Sequence, residues 1–292
     1  MTEVLVLSRG RASARISTDG GSVLGLAVDG IDLLRSAPDD AGAIDSACYP
    51  LVPFGNRIRG NSFTFRGETY ALAPNTAWDR HYLHGEGWLD EWAVETCEAD
   101  RLSIRHTHDA SRIPYRYTAR QRFVLTENGM DFHLSVVNEG ATAMPFGIGW
   151  HPYFPMTPGT TLETSTGRMW TEEEGWLPGA PVPIPDDLDF RAPRRLPHRW
   201  VNNAFEDWAG EAVIRWPEKG KSLRIAADPL FRTMFLFVSD RSFDPGYARD
   251  FFALEPMSHL PDGHNLPDLG GLTPLEPGQS FEGAMRLSLG DP

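Results

Sequence analysis

Alternation with period two runs through much of the chain. Leu102, Ile104 and His106 alternate with Ser103, Arg105 and Thr107. Tyr117, Ala119, Gln121, Phe123 and Leu125 alternate with Thr118, Arg120, Arg122, Val124 and Thr126. Phe132, Leu134 and Val136 alternate with Asp131, His133 and Ser135. Successive side chains of a strand point to opposite faces, so these stretches are predicted as half-buried antiparallel strands. Asn128-Gly129, between the last two, is a hairpin signal. Phe231 to Val238 is more continuously apolar, which predicts a strand covered on both faces. A strand over 251–255 would place Phe251, Ala253 and Glu255 on one face and Phe252 and Leu254 on the other. No amphipathic helix longer than about ten residues is visible.

The stretch from Met156 to Arg199 breaks the pattern. It is rich in Pro, Gly and Asp, as in PGAPVPIPDDLDF. Prolines block regular ladders, so a long excursion over a sheet is expected here, forming a rim of a site. Elsewhere the 28 Gly and 24 Pro are spread along the chain, which suits many short strands joined by tight turns and predicts an all-β fold. No repeat or linker divides the sequence, and residues 1–292 are expected to form one domain.

Charge and composition then narrow the partners. The formal net charge is −13 and no basic stripe is visible, which argues against nucleic acid. The balance favours a small neutral ligand, although a local arginine cluster would still admit an anionic one. No apolar run approaches the length of a membrane span. The start, MTEVLVLSRG, lacks the basic and apolar regions of a signal peptide, and a cytoplasmic location is expected. Cys48 and Cys97 form no metal motif and are expected to be buried free thiols. Nothing in the sequence sets the oligomeric state.

Four segments carry candidate chemistry. In LVPFGNRIRGNSFTFRG (51–67), Asn56 and Arg57 precede a strand-like SFTFRG, and Arg57 offers a forked pair of donors suited to sugar hydroxyls. It reads equally as a surface arginine. In HYLHGEGWLDEW (81–92), Gly85 after His84 would let the backbone approach a ligand closely. His81 and His84 suggest a metal pair, but no further ligands follow at a recognisable spacing, so no metal is expected. His84 alone also reads as a structural histidine. In GIGWHPYF (147–154), aromatic neighbours would shield His151 and favour its neutral form, whether it acts on a ligand or only packs. In FFALEPMSHLPDGHN (251–265), Glu255 ends an apolar strand. A carboxylate there is costly unless it is paired or lines a polar pocket, and such isolation raises its pKa and makes it a better base. The alternative is a glutamate just past the strand end, in water.

PFGNRI, LHG, WHPYF and LEPMSHLPDGHN occur in this order over roughly residues 45–265. As an ordered set they resemble the aldose 1-epimerase (galactose mutarotase) family, and WHPYF is closer to a bacterial mutarotase-like subgroup than to the galactose enzymes. The resemblance implies a large antiparallel β-sandwich with a monosaccharide in an open cleft. It implies that Glu255 is the general base at the C1 hydroxyl and that His151 protonates the ring oxygen. It further implies that His84 binds the sugar and assists that protonation, and that Arg57, preceded by Asn56, holds sugar hydroxyls. In VNNAFEDW (201–208), Asn202 stands where relatives carry Asp, which bears on the choice of substrate.

Opening a hemiacetal needs a base at O1 and an acid at O5, with no redox step and no cofactor. Trp88 and Trp150 are candidates, from position alone, to cover the apolar face of a sugar ring. Two rival readings remain at this point. A glycoside hydrolase would pair Glu255 with a second carboxylate such as Asp262, Glu86 or Asp90. A non-catalytic carbohydrate-binding protein would need the cleft without the histidines and Glu255.

Overall fold

The computed structural model describes residues 2–292. Two large sheets dominate, one of 11 strands and one of nine, and every ladder between named strands is antiparallel. The fold is thus the expected antiparallel β-sandwich. Helical structure among the described residues is limited to short 3₁₀ turns.

Five consecutive strands at the middle of the 11-stranded sheet position the site. In chain order they are β1 (Cys48–Leu51), β2 (Gly149–Pro155), β3 (Val201–Phe205), β4 (Thr233–Val238) and β5 (Phe251–Met257). In space they run β1-β2-β5-β4-β3. Their side chains divide by parity. Cys48, Trp150, Phe154, Val201, Phe205, Met234, Leu236, Phe252 and Leu254 point into the core between the sheets. They meet Tyr117, Phe123, Phe132, Leu134 and Leu287 of the nine-stranded sheet there. Burying each such apolar side chain contributes about 1.5–3 kcal/mol. Tyr49, Leu51, Tyr153, Ala204, Phe235, Ala253 and Met257 form a second, smaller cluster on the opposite face. The sheet is apolar on both sides, as the run to Val238 predicted.

The alternating segments are strands at Arg101–Asp109, Arg116–Thr126 and Gly129–Asn138, with the expected residues buried. The hairpin is present, but its register pairs Thr126 with Gly129, so Glu127-Asn128 makes the turn and Gly129 opens the next strand. Gly129 is required for another reason: a Cβ there would lie 1.8 Å from the carbonyl oxygen of Leu287 on the neighbouring strand.

The stretch from Met156 to Arg199 departs from expectation. It is not a bare excursion but holds strands at Thr161–Thr164, Met169–Glu173, Leu177–Val182 and Arg194–Arg195. Leu177–Val182, which contains Pro178 and Pro181, is an edge strand of the 11-stranded sheet, and Arg194–Arg195 is an edge of the other. Edges tolerate proline because one side of the strand needs no ladder partner. The cysteines split: Cys48 is buried and Cys97 is exposed. Cys97 lies on the edge strand Ala93–Cys97, exposed along its whole length, so it falls outside the core.

Candidate active site

A cavity of about 330 Å³ opens on the outer face of the five central strands. Its lining includes Glu255, His151, His84, Arg57, Asn56 and Asn202. Residues separated by up to 199 positions are thereby brought to one place.

Glu255 and His151 lie at matching positions of β5 and β2, between the register pairs Gly149–Met257 and Tyr153–Ala253. Glu255 Oε1 and His151 Nε2 are 3.2 Å apart. Both groups are buried, and Glu255 Oε2 and His151 Nδ1 have no protein partner. Burial pushes the carboxyl well above the usual carboxylate range, with Arg57 pulling the other way. Burial also pushes the imidazole down to about 3. Burial of the pair therefore favours a carboxylic acid beside a neutral imidazole. The His151 ring stacks on Tyr49 at 4.7 Å and packs on Tyr153 at 4.6 Å.

His84 is fixed by Asn56 through two reciprocal bonds. The Asn56 backbone N–H donates to His84 Nδ1 at 2.9 Å, and the His84 backbone N–H donates to the Asn56 backbone carbonyl at 3.0 Å. Accepting at Nδ1 leaves Nε2 to carry the proton, so His84 is a neutral hydrogen-bond donor. Burial, followed by the nearby His151 and Arg57, holds its pKa well below the usual value. Asn56 adopts a φ of 61°, a conformation asparagine tolerates better than most residues. Gly85 serves packing rather than ligand approach: at φ 69°, a Cβ there would lie 2.5 Å from both Val52 O and Pro53 Cδ.

Arg57 donates Nε–H to the buried carboxylate of Asp79 at 2.8 Å, and its guanidinium lies over the Trp176 ring. Its two terminal NH₂ groups remain for a ligand. The Asn202 Nδ2 donates to the Glu172 carboxylate, which also accepts from the Trp200 indole N–H at 3.1 Å. A carboxylate only accepts, so the amide nitrogen is turned toward it and Oδ1 is left as the acceptor free for a ligand.

The two proposed tryptophan platforms are placed elsewhere. Trp150 precedes His151 on β2, so it must face the opposite side. It is buried in the core, where its indole N–H donates to Gln121 Oε1 at 3.3 Å. Trp88 is also buried and lies behind the site, stacked on Tyr49 at 5.4 Å, with its N–H donating to the carbonyls of Leu83 and Gly85. It steadies the loop that carries His84. The aromatic wall comes instead from Phe251, which the alternation of 251–255 had placed on the face of Glu255, and from Tyr49, Tyr153, Phe235 and Phe237, which sequence reasoning did not single out. Period two alone would have put Tyr153 beside His151; no sequence signal marked Tyr49, Phe235 or Phe237.

None of the carboxylates suggested as a hydrolytic partner lines the cavity. Asp262 accepts from the Arg59 backbone N–H at 3.0 Å and from Asn265 at 2.7 Å. Glu86 is buried against Tyr82 and Arg112, and Asp90 is held by His106 and Arg112. His81 accepts from Arg80 Nε at 3.3 Å. Among the described residues, no group of three or more His, Cys, Asp or Glu is placed to hold a metal ion. No helix among the described residues is long and apolar enough to cross a membrane.

Fold and site together define a β-sandwich protein with a buried carboxyl–imidazole pair facing an aromatic-walled cavity, an arrangement suited to acid–base chemistry on a small polar ligand. The chain belongs to the aldose 1-epimerase family, whose sequence profile matches residues 3–288, and membership makes a sugar the expected class of ligand. It is 44% identical over 285 residues to the uncharacterized protein YphB of Escherichia coli K12, covering 97% of this chain and 98% of that protein. A crystal structure of an Escherichia coli K12 protein, described provisionally as an aldose 1-epimerase, superposes with a TM-score of 0.97 at 42% identity over the full length of both chains. A galactose mutarotase-like protein from Clostridium acetobutylicum shares the fold, with a TM-score of 0.84 at 18% identity, covering 100% of this chain and 99% of that one.

Proposed function

We propose that this protein interconverts the α and β anomers of a free aldose by opening and reclosing its hemiacetal ring. The observation that carries this reading is the 3.2 Å cross-strand contact between Glu255 and His151 at the floor of the cavity. O1 and O5 of a cyclic sugar are both bonded to C1, so an acid and a base serving them must sit side by side. Ring opening starts from the carboxylate–imidazolium form, reached when the Glu255 proton passes to His151 across their 3.2 Å contact. The O1 proton then moves to the Glu255 carboxylate as the C1–O5 bond breaks, and O5 takes a proton from the His151 imidazolium. The products are a C1 aldehyde, a neutral Glu255 and a neutral His151. Rotation about C1–C2 presents the other face, and the same transfers in reverse close the ring.

The proton count supports this assignment. Carboxylate with imidazolium, and carboxylic acid with imidazole, carry the same net charge. The second form is the one that burial favours. It is also the form that exists when the open-chain aldehyde is bound, so the central intermediate meets the protein in its preferred state. His84, neutral and donating through Nε2, holds the sugar rather than surrendering a proton. The free NH₂ groups of Arg57 and Oδ1 of Asn202 hold hydroxyls. The cycle needs no cofactor.

An anomer-exchange NMR screen over free neutral, 6-deoxy and acidic aldoses tests the reading. Acceleration of exchange without cleavage of any glycoside is expected. Cleavage of glycosides would favour a hydrolase, and sugar binding without either activity would favour a binding protein.

A further inference from the structure

Six large apolar side chains are exposed among the described residues, and three of them, Ile44, Trp78 and Phe243, line the mouth of this one cavity. They are 40%, 49% and 47% exposed and come from three separate segments. Scattered exposed apolar residues are ordinary, but their gathering at the entrance of a ligand cavity marks a contact surface. Phe243 is also held in place. Its ring packs on Trp200 at 4.8 Å, Trp176 at 5.6 Å and Phe237 at 6.1 Å. The Asp240 carboxylate fastens its loop by accepting from the N–H groups of Ser242 at 2.9 Å and Phe243 at 3.1 Å. An exposed ring kept on an ordered loop, against three other rings, is a preorganised platform.

Polar groups flank the platforms. Asp45, Ser239 and Asp244 line the same mouth, as does Arg35, whose guanidinium lies over the Tyr153 and Phe251 rings and donates to the carbonyls of Asp45 and Ser46. A purely apolar ligand would leave these polar groups without partners, and with charges of both signs present, neutral hydroxyls, which both donate and accept, can serve all of them. A neutral sugar ring presents an apolar face to an aromatic ring and hydroxyl donors at its edge, which matches both features. The anomeric chemistry requires only that C1 of one ring reach Glu255. The remainder of a longer saccharide is then free to extend toward the mouth.

We propose that the mouth formed by Ile44, Trp78 and Phe243 is a subsite for a second, neutral sugar ring, so that the preferred substrate is the reducing end of a disaccharide or longer saccharide. This rests on the mutarotase reading of the inner site. The test measures anomer exchange for glucose against maltose, cellobiose and melibiose, and for galactose against a disaccharide with galactose at its reducing end, using wild type, Trp78→Ala and Phe243→Ala. At least one disaccharide should exceed its own monosaccharide in kcat/KM by about tenfold or more, mainly through KM. Each variant should bring that ratio toward one. The monosaccharide rate in the same sample reports that the inner site is intact. Disaccharides no better than monosaccharides, or a ratio that neither variant changes, would overturn the subsite. If no sugar exchanges faster with wild type than without it, the mutarotase reading fails, and calorimetric titration with the same sugars then decides the subsite separately. Tighter disaccharide binding that Trp78→Ala weakens would uphold it; equal binding would not.

Discussion

Glu255 and His151 face each other across adjacent strands, so removing either leaves the other buried without its partner. Glu255→Gln keeps the shape and a hydrogen bond but cannot take up a proton, and His151→Ala removes the group proposed to serve O5. Each positioned acid or base contributes about 10²–10⁴-fold. Each variant is therefore expected to lose activity by that order in an anomer-exchange assay while its circular dichroism stays native. Near-wild-type exchange by either would remove that residue from the mechanism. Asn202 behaves differently from the simple replacement of a charge. The Glu172 carboxylate already lies against its amide, so negative charge is withdrawn by one residue rather than absent. Asn202→Asp would set two carboxylates in contact, raising the pKa of one or driving the pair apart. Relative kcat/KM among aldoses should change, with an acidic sugar penalised most, and Glu172→Gln in the same chain should restore part of the wild-type pattern. Unchanged ratios over a panel of neutral and acidic aldoses would place Asn202 outside the sugar site.

At the scale of elements, the alternation of β5 separated Glu255 from Leu254 in the sequence and in the structure alike. The same rule, applied to WHPYF, excludes Trp150 from the cleft once His151 is in it, because neighbours on a strand cannot share a face. The motif had drawn both residues into one role, and the geometry divides them. Pro178 and Pro181 pointed away from a ladder, yet they lie on an edge strand, a position that local sequence cannot reveal because it depends on what pairs beyond it. Tyr49, Phe235 and Phe237 were illegible for a related reason. Nothing in their own segments marks them, and only the order β1-β2-β5-β4-β3 carries them to Glu255. Trp150 supplies the test at this scale. Trp150→Phe leaves a void beside Phe132 and Phe231 and strands the Gln121 side-chain oxygen. It should cost about 1–3 kcal/mol in denaturant unfolding without raising the KM for a sugar. A raised KM at unchanged stability would mean that the indole reaches the cleft after all.

For the whole molecule, the buried histidines govern how stability follows pH. His84 and His264 are held well below the usual imidazole value, His259 is pushed down to about 4 and His151 to about 3, each chiefly by burial. His264 and His259 do structural work: Tyr115 Oη is 2.7 Å from His264 Nε2, and His259 Nε2 accepts the Gly55 N–H at 2.9 Å. In the unfolded chain all four titrate near 6.5. Between that value and their folded values, the unfolded state binds protons that the native state refuses, so stability falls as pH drops. Each group in this window contributes a slope of about 1.4 kcal/mol per pH unit. Glu255 acts in the opposite sense. Its raised folded pKa means that the native state keeps a proton the unfolded state has released, and stability falls as pH rises from about 4.5 toward that folded value. His81 and His133 are also held low, chiefly by burial, so six histidines stand against one carboxyl and the acid side is the steeper. Urea unfolding from pH 7.5 down to 5.0 should therefore show a steep loss of stability that begins near pH 6.5. His264→Gln, which cannot titrate, should lower stability at pH 7.5 but flatten the slope by about one proton's worth. An identical slope in that variant would show that His264 takes up its proton in the native state, and that the buried histidines do not set the acid limit of this fold.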